Sequence, residues 1–218
     1  MIRQIPINGF DENFSYFLIS GRDVAVVDPG DVEHLVAEIE QDDLAVKMII
    51  LTHSHFDHVA GVPEMLQKYG VPVYMHKNAR GRIEVEDEMT VHLNDEDKVK
   101  VGDLKFEVLW TPGHIDDSIC LYLKASADEE GTGRLISGDT LFVEGCGRAD
   151  LEGANVDDLW KSLQRIKRLP DEVEVYPGHD YGSKPVSTIG WEKKHNKYLK
   201  CGSLEEFRKL RLPGVWGN

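Results

Sequence analysis

Short apolar runs of two periodicities alternate along the chain. Phe14 to Ser20 and Val24 to Asp28 are rich in β-branched and aromatic residues and close on the breaker Asp28-Pro29-Gly30, which predicts two strands. Val32, Leu35, Val36 and Ile39 then fall at helical spacing within Val32 to Glu40. Val46 to Thr52 is an apolar run, broken only by Lys47, that ends in a polar cluster, the pattern of a strand buried on both faces with a loop at its carboxyl end. A helix over Val59 to Tyr69 and a short strand at Val73 to His76 follow. The middle of the chain is different: Lys98 to Val101, Leu104 to Trp110, Ser118 to Leu123 and Leu135 to Ser137 read as short strands, the first two joined by Gly102-Asp103 as a tight hairpin. The last part predicts a helix over Val156 to Arg168, a strand over Val173 to Tyr176 broken by Pro177-Gly178, and terminal helices over Thr188 to Leu199 and Leu204 to Leu210.

Mixed β and α, then mostly β, then β and α again is the order of two sheets with helices outside them. The fold class is α/β, a four-layer αββα sandwich made from two halves. There is no internal repeat and no linker, so residues 1–218 are expected to form one domain with a short C-terminal helical tail. Glu84 to Glu88 and Ala127 to Gly133 are expected to be surface loops.

Composition narrows the function. The 218 residues carry 25 basic and 39 acidic side chains, a formal net charge of -14. That balance argues against a nucleic-acid binder, which needs clustered Lys and Arg, and against docking on anionic lipid. No run approaches the roughly 18 apolar residues of a spanning helix. Met1 to Phe10 lacks the apolar core of a signal peptide, so a cytoplasmic location is the expectation. Cys120, Cys146 and Cys201 are odd in number and form no C-x-x-C pair, which fits a reducing compartment.

The chemistry concentrates after the buried strand ending at Thr52. His53, Ser54, His55, Phe56, Asp57 and His58 hold three imidazoles and a carboxylate within six positions, in the kind of loop where α/β proteins place ligand sites. A lone histidine is ordinarily a surface or satisfied core residue; this density of zinc, iron or manganese ligand types is not explained that way. Three more candidates follow β-type runs in Gly- or Pro-rich turns: His114 after Thr111-Pro112-Gly113, Asp139 after Ser137-Gly138, and His179 after Tyr176-Pro177-Gly178. Strand ends on one rim converge in space, and glycine beside each candidate permits close backbone approach. His34, His76, His92 and His195 lack neighbouring ligand types and read as structural or surface residues.

The run T-H-S-H-F-D-H from Thr52 matches the H-x-H-x-D-H signature of the metallo-β-lactamase superfamily. T-P-G-H at 111–114, S-G-D-T at 137–140 and Y-P-G-H at 176–179 add to the resemblance, which covers roughly residues 13–200. Asp139 and the loop G-D-T-L-F-V-E-G-C-G-R at 138–148 are most similar to the glyoxalase II-like group. The resemblance implies two divalent ions (Zn, Fe or Mn). His53, His55 and His114 would hold the first, Asp57, His58 and His179 the second, and Asp139 would bridge. It further implies a water, acidified by both ions and so deprotonated to hydroxide, attacking a small-molecule thioester such as a hydroxyacyl-glutathione, or a related ester.

Glyoxalase II has a longer helical C-terminal region with basic residues for glutathione. Only about 40 residues follow His179 here, with Lys184, Lys193, Lys194 and Lys197 among them. Ile115-Asp116-Asp117-Ser118 stands where the family commonly has a Thr-x-Gly-Ser turn. The segments 145–150, 179–181 and 187–190 also resemble persulfide dioxygenases. That alternative implies one Fe(II) on His53, His114 and Asp139, oxidising glutathione persulfide to sulfite. Phe56 counts against it, at a position where those enzymes typically have alanine. Tyr181 could donate its phenol to substrate or oxyanion, or be a packed loop tyrosine. Arg148 could bind a substrate carboxylate with its forked donors, or brace a loop through Asp150 or Glu152. Cys146 suits a tight turn better than a reactive thiol.

Overall fold

A computed structural model describes residues 1–7, 12–124 and 132–212. The first sheet has six strands in chain order: β1 (Ile2–Pro6), β2 (Phe14–Ser20), β3 (Asp23–Val27), β4 (Ala45–Ile50), β5 (Val73–His76) and β6 (Thr90–Leu93). The first three are antiparallel; β3 to β6 run parallel, each reached by a crossover. The second sheet comprises β7 (Lys98–Val101), β8 (Leu104–Trp110), β9 (Ile119–Leu123), β10 (Arg134–Gly138), β13 (Glu174–Pro177) and β14 (Ser187–Thr188), in the order β14-β13-β10-β9-β8-β7. A two-stranded ribbon, β11 (Leu141–Phe142) with β12 (Gly145–Cys146), follows β10.

The layers follow from alternation along each strand. On β2, Phe17 and Ile19 pack outward with Val32, Leu35 and Ile39 of α1 (Val32–Gln41) and Val62 and Met65 of α3 (Val62–Tyr69). Phe14, Tyr16 and Leu18 of the same strand face inward, onto Phe106 and Val108 of β8 and Ile119 and Leu121 of β9. The outer face of the second sheet packs Cys120, Leu135 and Val175 against Leu159, Leu163 and Ile166 of α4 (Val156–Ile166). Ile189 of α5 (Ile189–His195) and Phe207 of α6 (Leu204–Arg211) join that layer. Strands loaded on both faces give the expected αββα sandwich. Fully burying each large apolar side chain stabilises it by about 1.5–3 kcal/mol.

The expected helix over Val59 to Tyr69 is two helices, α2 (Phe56–Val59) and α3, parted at Ala60-Gly61. Gly61 donates its N–H to the Pro29 carbonyl at 2.7 Å, and a Cβ there would lie 2.4 Å from the same oxygen. The helix expected over Thr188 to Leu199 ends at His195, and Ser187–Thr188 pairs with β13 instead. Strands β1 and β6 close the first sheet at sequence positions where no strand was expected. Glu84 to Glu88 forms a loop running into a short 3-10 turn, Asp87–Met89. Most of the run 127–133 lies outside the described residues. No helix among the described residues is long and apolar enough to cross a membrane.

Candidate metal centre

Five loops at one rim carry the candidate residues. After β4 the backbone is pinned at Thr52, whose carbonyl accepts from the Ile119 N–H at 2.8 Å and whose N–H donates to Asp28 Oδ1 at 2.7 Å. Asp28 sits at φ 50, a left-handed conformation unusual for a non-glycine residue, and is buried. Its carboxylate also accepts from the Thr52 hydroxyl at 2.6 Å and contacts His58 Nδ1 at 3.0 Å. Asp57 and His58 belong to α2, and His55 is the extended residue that precedes it. Gly113, at φ 136, precedes His114 and leaves no room for a side chain, since a Cβ would meet the Leu159 backbone at 2.1 Å. Asp139 and His179 follow Gly138 and Gly178, whose backbones are hydrogen-bonded to each other at 2.9 Å.

Seven donor residues meet here. His53 Nε2 lies 3.1 Å from His55 Nδ1, and His114 Nε2 lies 2.8 Å from that same atom. Beside this triplet, His58 Nε2 lies 3.3 Å from His179 Nε2, and each is 3.5 Å from Asp57 Oδ2. Asp139 stands between the two groups. Its Oδ1 is 3.3 Å from His58 Nε2, while its Oδ2 is 3.5 Å from His114 Nε2 and 3.2 Å from His179 Nε2. Ligands about 2.0–2.1 Å from a tetrahedral ion are separated by about 3.3 Å, the spacing found here. Asp139 Oδ1 is buried without a hydrogen-bond partner, as an atom reserved for a cation would be. The residues therefore fit a pair of divalent ions.

The surrounding hydrogen bonds select the tautomers. The Thr52 hydroxyl donates to Asp28, so at 3.1 Å it accepts from His53 Nδ1–H. His58 Nδ1–H donates to Asp28, and His114 Nδ1–H donates to the Arg148 carbonyl at 3.0 Å. Three Nε2 lone pairs are thereby turned into the site, the outer-shell arrangement that orients metal-ligating histidines. Burial, reinforced by neighbouring imidazoles, holds His53 well below the usual histidine range and also lowers His55 and His114. These three are kept neutral, the form that binds metal. Burial opposes charge on His58 as well, but Asp139 and Asp28 outweigh it and push His58 well up. Asp139 is driven well down: burial opposes its charge, and His58 and His179 overcome that opposition.

The remaining expected residues lie at the margin. Tyr181 is half exposed, its ring stacked on His179 at 4.6 Å and edge-on to Phe142 at 5.3 Å. Arg148 has its fork engaged by Asp150, at 3.0 Å and 2.9 Å, so its observed contacts are those of a loop brace. Cys146 is buried in the ribbon and its thiol is pushed up to about 12 by burial. A groove beside the centre is lined by His55, Phe56, Asp57, Arg82, Ile115 and Leu151, with Phe56 largely exposed. Two supporting residues were not anticipated. Asn13 Nδ2 donates to Asp57 Oδ2 at 2.9 Å, a role without local sequence signal. Asp28 stood out in sequence only as part of a turn, and its position just before Pro-Gly at a strand end was the available clue.

Residues 8–179 match the model of the metallo-beta-lactamase superfamily. A hydroxyacylglutathione hydrolase of Hahella chejuensis is 35% identical over an alignment covering 100% of this chain and 82% of the relative. Among solved structures, ETHE1 from Myxococcus xanthus superposes with a TM-score of 0.83 at 32% identity, covering 98% of this chain and 92% of that one. TTHA1623, solved in a di-iron-bound form, gives a TM-score of 0.76 at 30% identity over 90% of this chain and 100% of its own. Fold, donor geometry and sequence agree, and the chain belongs to the metallo-β-lactamase superfamily.

Proposed function

We propose that the chain is a metal-dependent hydrolase of the glyoxalase II-like type, acting on a small thioester such as a hydroxyacyl-glutathione, or on a related ester. The observation that carries this reading is Asp139, whose carboxylate contacts both donor triplets at once. A carboxylate so placed suits two ions that share it, and the similarity to a hydroxyacylglutathione hydrolase and to a di-iron protein supports the same reading. His53, His55 and His114 would hold one ion, Asp57, His58 and His179 the other, with Asp139 between them. Ions held there would supply Lewis acidity toward a carbonyl and lower the pKa of water toward neutrality.

The protein's own groups do the rest. Asp28, Thr52 and the Arg148 carbonyl fix the imidazoles, so little reorganisation is needed when charge develops. Asn13 donates to Asp57 Oδ2, the same oxygen that faces His58 and His179, and so fixes that carboxylate in place. Tyr181, stacked on His179, presents its phenol at the rim as a donor to the substrate carbonyl oxygen. Arg148 would reach a substrate carboxylate only by opening its pair with Asp150. Phe56, Ile115 and Leu151 offer an apolar wall for the acyl or thiol portion. A thiolate leaves with little acid assistance, so no serine or cysteine nucleophile is required.

A second reading, a mononuclear iron persulfide dioxygenase using His53, His114 and Asp139, rests on the likeness of segments 145–150, 179–181 and 187–190 to such enzymes. One preparation separates the two. Metal content is measured, then thioester hydrolysis under argon and oxygen uptake on glutathione persulfide. Oxygen-independent hydrolysis with two ions per chain is expected. A single iron with sulfite formation and no thioesterase activity would replace the first reading by the second.

A further inference from the structure

The stretch carrying His53 and His55 is gripped at two points. Asp28 holds it at Thr52. The second grip is the Ser54 N–H, which donates to Asp117 Oδ1 at 3.3 Å. Ser54 is the residue between the two histidines, so the His53–Ser54 peptide is tied to Asp117, while the Leu51–Thr52 peptide, two steps earlier, is tied to Asp28. Asp117 also follows His114 by three positions and therefore joins the two stretches that supply the first triplet. Its side chain is fully buried, and a carboxylate so placed persists only against a partner. That partner is Arg82, whose guanidinium lies 3.2 Å from Asp117 Oδ2 and also bonds Asp116. The Asp116 carbonyl is fixed in turn by Asn78 Nδ2 at 3.1 Å and by the Trp110 indole N–H at 2.8 Å. The second triplet takes its support elsewhere, from Asn13 on Asp57 and Asp28 on His58.

We infer that Asp117, with Arg82 as its counter-charge, is a positioning residue that sets the spacing of the His53–His55–His114 triplet and not that of Asp57–His58–His179. The inference rests on the proposed reading of the centre as a two-metal site. It gives a role to the Ile115-Asp116-Asp117-Ser118 departure noted in the sequence: a carboxylate there clamps the neighbouring ligand loop from outside the ligand set.

The test measures Zn(II) affinity of the metal-free protein against a competing chelator, with thermal unfolding as the check on folding. In a His179→Ala background, which leaves the first triplet to be filled, Asp117→Ala should weaken Zn(II) binding by about 10–100-fold. In a His55→Ala background, which leaves the second triplet, it should change binding by less than about 3-fold. Asp117→Asn keeps a carbonyl acceptor for the Ser54 amide and should recover most of the lost affinity. Should Asp117→Ala fail to fold, Arg82→Gln carries the comparison and should show the same selective weakening. Equal weakening in both backgrounds, or none in either, overturns the inference while leaving the two-metal reading intact. A wild-type protein that takes up no metal overturns the reading of the centre, and the positioning role falls with it.

Discussion

Gly178→Ala adds one methyl group directly against the Asp139 carboxylate. The Gly178 backbone cannot retreat: its N–H donates to the Gly138 carbonyl at 2.9 Å, and its carbonyl accepts from the Phe14 N–H at 2.8 Å. A Cβ there would lie 2.2 Å from Asp139 Oδ1, 3.0 Å from His58 Cε1 and 3.1 Å from the Gly138 carbonyl carbon. Relief to ordinary contact requires Asp139 to shift by about 1 Å. A shift of that size breaks the contacts of 3.2–3.5 Å that join Asp139 to His58, His179 and His114. Overpacking of this kind costs about 1–3 kcal/mol, which lowers the melting temperature of a chain this size by roughly 2–12 °C. A misplacement of about 1 Å in a catalytic constellation costs on the order of 100-fold in rate. The variant should therefore fold, lose metal and lose activity out of proportion to its modest loss of stability. Elemental analysis, thermal unfolding and thioester turnover on one preparation read all three. Gly145→Ala is the control, because its Cβ would meet Phe142 at an ordinary 3.5 Å. Wild-type metal content and rate in Gly178→Ala would refute the claim that Asp139 is held in one functional position.

Further outcomes are expected. Asp28→Ala removes the acceptor of the Thr52 N–H, the Thr52 hydroxyl and His58 Nδ1–H. At about 1–3 kcal/mol for each buried donor left unmade, denaturant unfolding should show a loss of about 3 kcal/mol or more, and a loss under 1 kcal/mol would contradict this. Phe56→Ala should raise KM for thioesters with apolar acyl groups while metal content stays unchanged; an unchanged KM would remove Phe56 from the substrate wall. Cys120 is pushed to about 11 and Cys146 to about 12 by burial, so a maleimide at pH 8 should label the native protein at neither and label both after unfolding. Glu192 is buried in α5 and its carboxyl is raised by burial, so the folded state favours its protonated form. That contribution is complete below the unfolded value near 4.5 and is lost as pH rises through the folded pKa. Melting curves from pH 4 to 7 should show the decline in wild type and its disappearance in Glu192→Gln; parallel curves would refute it.

The strands were legible where both faces are buried, because β2, β3, β4 and β9 have nearly uninterrupted apolar sequences. The edge strands β1, β6 and β14 were not, although β7, in a hairpin with β8, was. β1 carries Arg3, Gln4 and Pro6, and its pairing with β2 supplies what its composition does not. The break between α2 and α3 is set by Gly61 against Pro29, a contact between residues 32 positions apart. The seven candidate donors stood out because imidazole and carboxylate recur at strand ends, and the fold brings those ends to one rim. Asn13, Asp28 and Asp117 act as hydrogen-bond partners across 44, 24 and 63 positions. A single sequence carries no local mark for such contacts. Arg148 is the case the sequence left open between a substrate contact and a brace through Asp150 or Glu152, and its fork is paired with Asp150, two residues on.

In the proposed centre one carboxylate, Asp139, serves two adjoining metal positions. Elemental analysis of the wild type beside Asp139→Ala, His58→Ala and His179→Ala tests it most directly. Two ions per chain are expected in the wild type, close to none in Asp139→Ala, and about one in each histidine variant, with hydrolysis falling steeply in all three. One iron per chain in the wild type, retained in His58→Ala and His179→Ala, would contradict it.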